Sequence, residues 1–165
     1  MTDSFDIKTI SRDAVPRAIE KAERYRLLND PEQTESICLD VLAADPENQR
    51  TLVLVVLAMT DRLASGGTVD PRVVGAYVAR LADEYERIYY SGLVCERQAR
   101  GYLARGSGGA TAYEAFRDAM EWYEKASARR PPDNDDALLR WNSCVRTLQL
   151  HRLEPRADEG ELPLE

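Results

Sequence analysis

The side chains able to do chemistry are few and scattered. His151 is the only histidine in the chain, so a paired-histidine relay or a multi-histidine metal centre cannot be built within one chain. Its place at the end of a helical pattern suits a residue favoured by the helix dipole. Asp133, Asp135 and Asp136 form a short run of carboxylates. They lack the glycine and distal glutamate of a calcium loop, and they sit where a helix N-terminus favours acids. Asp83, Glu84 and Glu86 lie in a helical stretch without the Glu-x-x-His partners of a di-iron bundle. Gly106-Ser107-Gly108-Gly109 lacks the strand-to-helix context of a phosphate cradle. Cys38, Cys95 and Cys144 stand about fifty residues apart, with no metal-knuckle or redox spacing. The residues therefore predict no catalysis, no cofactor and no metal. One charged stretch stands out: residues 87–105 hold Arg87, Arg97, Arg100 and Arg105 against Glu96 alone. Arg97, Arg100 and Arg105 would be the contacts if the chain were a helical regulator of an anionic small molecule.

Charge narrows the remaining classes. The formal net charge is −7, which argues against a nucleic-acid binder with its usual basic excess. Much of the negative charge sits at the C-terminal end, where Glu154, Asp158, Glu159, Glu161 and Glu165 face Arg156 alone. Basic residues are 19 Arg and 3 Lys. Arg suits interfaces through its planar, multi-donor head, although a GC-rich genome gives the same bias. Sparse cysteines fit a reducing compartment, with each thiol a small buried apolar group. The polar, acidic stretch from Met1 to Asp13 is unlike a secretory signal. The longest apolar run, Leu52 to Met59, is far shorter than a bilayer-spanning helix. A soluble cytoplasmic protein, without membrane or nucleic-acid partners, is expected.

The elements that would position any site are helices. Val15, Ala18, Ile19, Ala22, Tyr25 and Leu28 recur at helical spacing and predict a helix over about 13–28, with Pro16 in its first turn. Asn29-Asp30-Pro31 ends it and starts the next, with Asp30 as cap and Pro31 in the first position. That helix runs to Ala44, where Asp45-Pro46 repeats the device and opens a third over about 46–64. The β-branched run Leu52 to Leu57 is read as the centre of that helix, because an isolated strand would find no partner. Asp70-Pro71 opens a pattern extending to Arg105, one bent helix or two, with Ser91-Gly92 as the expected break. Helices over about 110–129 and 134–151 follow, separated by Pro131-Pro132. Residues 1–12 are expected to form a flexible leader, 13–152 a single helical domain, and 153–165 a disordered acidic tail.

Helix pairs joined by short Pro-marked corners stack into solenoids, which mostly bind other proteins. In its residues the chain resembles tetratricopeptide-repeat (TPR) proteins. One unit would span Val15 to Asn48, with Tyr25 in its first helix and Cys38, Val41 and Pro46 in or after its second, Thr34 replacing the usual Ala. In a later unit Ala119, Tyr123, Ala126 and Pro131 match by type and spacing, and Gly92 would be the first-helix glycine, about ten residues too far away. Residues 49–85 resemble the repeat only in their helical pattern. The resemblance implies an all-α fold, a right-handed stack of antiparallel helix hairpins with six or seven helices. It also implies a groove lined by the first helix of each unit, holding a peptide or a partner helix, and no catalysis.

Angular position then selects residues for that groove. If Ile88, Gly92, Cys95, Ala99 and Tyr102 form the packed side, Tyr89, Leu93, Glu96 and Arg100 share an adjacent face. Ile19, Glu23 and Arg26 occupy the corresponding face of the first helix. The competing reading has Tyr89 and Leu93 packing a neighbouring helix and Glu96 with Arg100 forming an i,i+4 surface pair. The Lys and Asn clamp that some members use for a C-terminal carboxylate is absent, since Ile19, Glu23 and Val53 stand at its positions. The expected function is a protein–protein adaptor or scaffold, monomeric or homodimeric. A small chaperone for a secreted or assembling client is the alternative, with the acidic tail as a removable mimic of the client.

Overall fold

In the computed structural model, which describes residues 4–157, seven α-helices follow one 3-10 turn, Arg12–Ala14, and no strand occurs among the described residues. Helix α1 (Val15–Leu27) starts with Pro16 in its first turn and ends in a left-handed Asn29 at φ 60°, the Asp30 N–H returning to the Tyr25 carbonyl. The Asp30 side chain accepts the Gln33 N–H and opens α2 (Pro31–Ala44), as the Asp-Pro pattern predicts. At the next corner the outcome differs slightly. Residues 46–48 form a turn, and Asn48, not Asp45, caps α3 (Gln49–Ala64) by accepting the Thr51 N–H. The β-branched run is helical, with Leu52, Leu54, Val55 and Val56 buried and Val53 and Leu57 half-buried.

Residues 71–105 form two helices, α4 (Pro71–Ala79) and α5 (Glu84–Arg105), and the break lies ten residues before the expected Ser91-Gly92. Tertiary contacts set it there. Leu81 is buried in the core, Gln49 accepts the Ala82 N–H, Arg87 donates to the carbonyls of Leu81 and Ala82, and Asp83 caps the new helix. Gly92 marks a close approach instead of a kink: a Cβ there would lie 2.8 Å from the Tyr123 ring. Gly101 does the same toward α3, where a Cβ would collide with the Leu63 carbonyl oxygen. Helix α6 (Gly109–Ser127) returns along α5 as the second arm of a long hairpin, and α7 (Asp136–Leu150) packs on α6.

Consecutive helices pack on one another, and the odd-numbered α1, α3 and α5 also touch directly. One aliphatic cluster joins α1 to α5 through Ala22, Cys38, Leu52, Val55, Val74 and Val94. A second joins α5, α6 and α7 through Ala99, Phe116, Ala119, Tyr123, Ala137 and Cys144. Residues 4–11 carry no helix, although Ile10 packs beside Val15, Ile19 and Val41. Leu153, expected at the start of the tail, is part of the fold: its N–H donates to the Leu148 carbonyl and its side chain packs near Gly109. The rest of the acidic segment, from Asp158 on, lies outside the described residues.

Candidate functional site

Four residues of α3, at spacings of three and four, put one stripe of that helix between α1 and α5: Arg50, Val53, Leu57 and Asp61. Around its first half lies an open cavity of about 300 Å3, lined by Glu23 of α1, by Gln49, Arg50, Val53, Leu54 and Leu57 of α3, and by Glu86 of α5. Arg50 forks onto Glu23, Nε and Nη2 each donating to one carboxylate oxygen at 2.6 Å. Glu86 has its carboxyl pushed above the usual range, first by burial and then by the Asp83 charge. Val53 and Leu57, half-buried between these charged groups, give the cavity an apolar floor.

One helical turn past Leu57 the surface becomes cationic. Asp61 accepts from Arg26 Nε at 3.0 Å and from Arg26 Nη2 at 3.4 Å, and its Oδ1 also accepts from Arg97 Nη1 at 3.2 Å. A single carboxylate on α3 thus ties α1 to α5. All three side chains keep some solvent contact, 29%, 23% and 17% exposed for Arg26, Asp61 and Arg97. Arg97 is the least satisfied: its Nε is buried with no hydrogen-bond partner among the described residues. Burial is the main force lowering its pKa, and the charges of Arg140 and Arg100 add to that against the opposing pull of Asp61 and Glu96.

Glu96, next in the chain, points the other way and is fully buried. Its Oε2 accepts the Tyr123 hydroxyl at 2.6 Å, and its Oε1 accepts from Arg100 Nε at 2.9 Å and lies 3.5 Å from Arg140 Nη1. Arg100 goes on to Ser143 and Thr147 of α7, with its guanidinium 5.6 Å from the Phe116 ring centroid. For Tyr123 both burial and the Glu96 charge drive the phenol pKa far up, so it donates to the carboxylate as a neutral hydroxyl. For Arg140 burial acts downward, but the Glu96 charge and the hydrogen bond to Tyr89 outweigh it and the pKa rises. This knot fastens α5, α6 and α7 together. This carboxylate is closed to solvent, and its donors come from within the knot itself.

The residues expected at a groove divide accordingly. Glu23 lines the cavity and Arg26 the cationic patch, whereas Ile19 is buried against Val15 and Val41. On α5 the expected face turns inward: Leu93 and Glu96 are buried, Tyr89 stacks between Tyr85 and Tyr123, and Arg100 spans to α7. The i,i+4 pairing of Glu96 with Arg100 exists, but inside the protein and not on its surface. The residues of α5 that meet the α3 stripe are Glu86, Tyr90 and Arg97, one position along, a rotation of about 100°. A stripe at spacings of four and seven carrying acid, aromatic and base was the available signal. Arg97, Arg100 and Arg105 do not converge: Arg97 faces Asp61, Arg100 faces Glu96, and Arg105 stacks on the half-buried Tyr102 ring at 5.3 Å.

Away from this face, Cys38 and Cys144 are buried and Cys95 half-buried, each thiol pushed upward by its burial, the first two to about 12 and Cys95 to about 11. Among the described residues no group of three or more His, Cys, Asp or Glu side chains could hold a metal ion. No helix among them is long and apolar enough to cross a membrane. Comparison with known protein families, curated proteins and solved structures finds no significant match.

Proposed function

We propose that the chain is a non-catalytic protein–protein interaction module, an adaptor or scaffold of TPR-like design that holds a peptide or partner helix across α1, α3 and α5. The observation that carries this reading is the open cavity floored by Val53 and Leu57 and walled by Glu23, Arg50 and Glu86. Apolar floor with charged walls is the composition of a recognition surface, where burial supplies affinity and the rim sets register. Two further features agree with a TPR-like stack. Direct contact among α1, α3 and α5 is what a row of first helices would make, and Gly92 against Tyr123 is the small-to-large packing of a repeat hairpin. The buried Glu96 carboxylate agrees with this reading, since it is closed to solvent and bonded to Tyr123 and Arg100.

The test is recovery of a partner from the native host with the intact chain, repeated with Leu57→Lys. A lysine at this half-buried position keeps its methylenes on the surface and places a charge in the cavity. The partner is expected to be retained by the intact chain and lost with Leu57→Lys at unchanged helix content. Equal recovery by both would place binding elsewhere and remove the cavity from the account.

A further inference from the structure

The cationic patch beside the cavity has more guanidinium groups than carboxylates to neutralise them. Arg26 and Arg97 share Asp61, and Arg100 and Arg140 share Glu96. Within each pair the allocation is unequal. Arg26 takes the closer, two-pronged grip on Asp61, which leaves Arg97 a single bond at 3.2 Å and a buried Nε with no partner. Arg100 grips Glu96 at 2.8 Å and Arg140 only reaches it at 3.5 Å. Arg97 is thus the under-paired member of its set, whereas Arg140 is also held by a hydrogen bond to Tyr89. Arg97 and Arg26 both keep solvent contact, at 17% and 29% exposed.

We infer that Arg97, with Arg26 beside it on the same Asp61 carboxylate, forms a site for the carboxylate side chains of an acidic peptide segment. This rests on the interaction-module reading and names the chemistry of its partner. A planar carboxylate accepts two donors from one guanidinium or one from each of two, so it suits the solvent-facing donors of Arg97 and Arg26, the buried Arg97 Nε staying out of its reach. The neighbouring floor of Val53 and Leu57 takes an aliphatic side chain from the same segment. At the far end of the α5 stripe stands Glu86, eleven residues and about 16 Å of helix from Arg97. Asp136 adds negative charge near Tyr90 on that side. The face is therefore graded, basic at Arg97 and acidic at Glu86, and it fixes direction: the acidic part of the ligand lies over Arg97 and an apolar or basic part over Glu86. Asp61 is an internal competitor for the same guanidinium groups.

The experiment titrates the full chain with a capped Glu-Leu-Glu-Leu-Glu peptide, its Gln-Leu-Gln-Leu-Gln twin and inorganic phosphate, following the Arg Nε–Hε resonances and the binding isotherm. The acidic peptide is expected to shift the Arg97 resonance saturably, with affinity falling as salt rises, and the neutral twin to bind about tenfold or more weakly. Arg97→Gln should abolish the difference between the peptides. Asp61→Asn, which removes the competitor and deletes no cation, should tighten the acidic peptide by about tenfold. A purely structural role for Asp61 predicts weaker binding or none. Equal binding of both peptides, lost with Leu57→Lys, would keep the cavity and overturn the anion site. A response to phosphate without one to the acidic peptide would overturn the peptide assignment in favour of a phosphate ligand. No response at Arg97 to any probe would overturn the inference outright, leaving the partner-recovery test of the cavity unaffected.

Discussion

The two halves of the molecule are held together by different chemistry. Around α2, α3 and α4 the core is aliphatic, Leu, Val and Met with Ala22 and Cys38, and its buried polar groups are threonines. Each of these hydroxyls meets an acceptor: Thr34 donates to the Asp30 carbonyl and across to the Ala22 carbonyl of α1, Thr51 to the Asn48 side chain, and Thr60 to the Leu57 carbonyl. Around α5, α6 and α7 the core is alanines and aromatic rings closing on a buried glutamate with its arginines and tyrosine. An aliphatic core is tolerant, because volume and pattern matter more than any single contact. A buried carboxylate is less forgiving, since removing it leaves the buried Tyr123 hydroxyl without an acceptor and two guanidinium groups without their counter-charge. The first half thus holds its helices by aliphatic burial with ion pairs at its surface, such as Arg50 with Glu23, and the second closes α5, α6 and α7 on a buried charge.

The largest expected effect is one that the halves share. Cys38 in one and Cys144 in the other have thiol pKa values raised from 9.0 to about 12, chiefly by burial. Both thiols therefore stabilise the fold fully below pH 9, and that stability is lost as pH rises toward 12, because the unfolded chain releases the proton first. Over that range each thiol is worth on the order of 4 kcal/mol. Denaturant unfolding measured across pH 8 to 12 should show a steep alkaline decline with both halves melting together; separate transitions would make them independent units.

Single substitutions should separate the halves. Glu96→Ala removes the counter-charge of Arg100 and Arg140 and leaves the buried Tyr123 hydroxyl without an acceptor, and should cost about 2–4 kcal/mol. Leu52→Met, at an equally buried position of α3, should cost less than about 1.5 kcal/mol. Urea midpoints of the two variants test the comparison directly, and similar losses would dissolve it. Asp30→Ala is the smallest, removing the side-chain acceptor for the Gln33 N–H at the start of α2 and costing about 1 kcal/mol. It should lower the melting temperature by a few degrees and leave the second half unchanged by hydrogen exchange.

What could be read in the sequence was local. The Asp-Pro corners gave the starts of α2 and α4, and helical spacing gave the length of α3 despite its β-branched run. What could not be read depended on distant residues. The break between α4 and α5 is set by Gln49 and by the burial of Leu81, neither of which leaves a turn signal at 80–83. The outward face of α5 was misplaced by one residue because α3, α4 and α6 all pack on that helix, and their combined angles decide which stripe remains open. The burial of Glu96 was invisible for the same reason, since Tyr123 is 27 positions away and Arg140 lies two helices on. Glu23 and Arg26 on α1 were legible because that helix has fewer neighbours and its periodicity alone fixes the faces.

The central claim is that the face formed by α1, α3 and α5 is where a partner sits. Two regions offer themselves for contrast: this cavity, and a second apolar pocket of about 300 Å3 between α6 and α7 lined by Leu138, Trp141 and Tyr123. Hydroxyl-radical footprinting of the isolated chain and of its complex with the recovered partner distinguishes them. Protection of Leu57 and Tyr90 with Leu138 and Trp141 unchanged is the predicted result. Protection confined to Leu138 and Trp141 would contradict the claim.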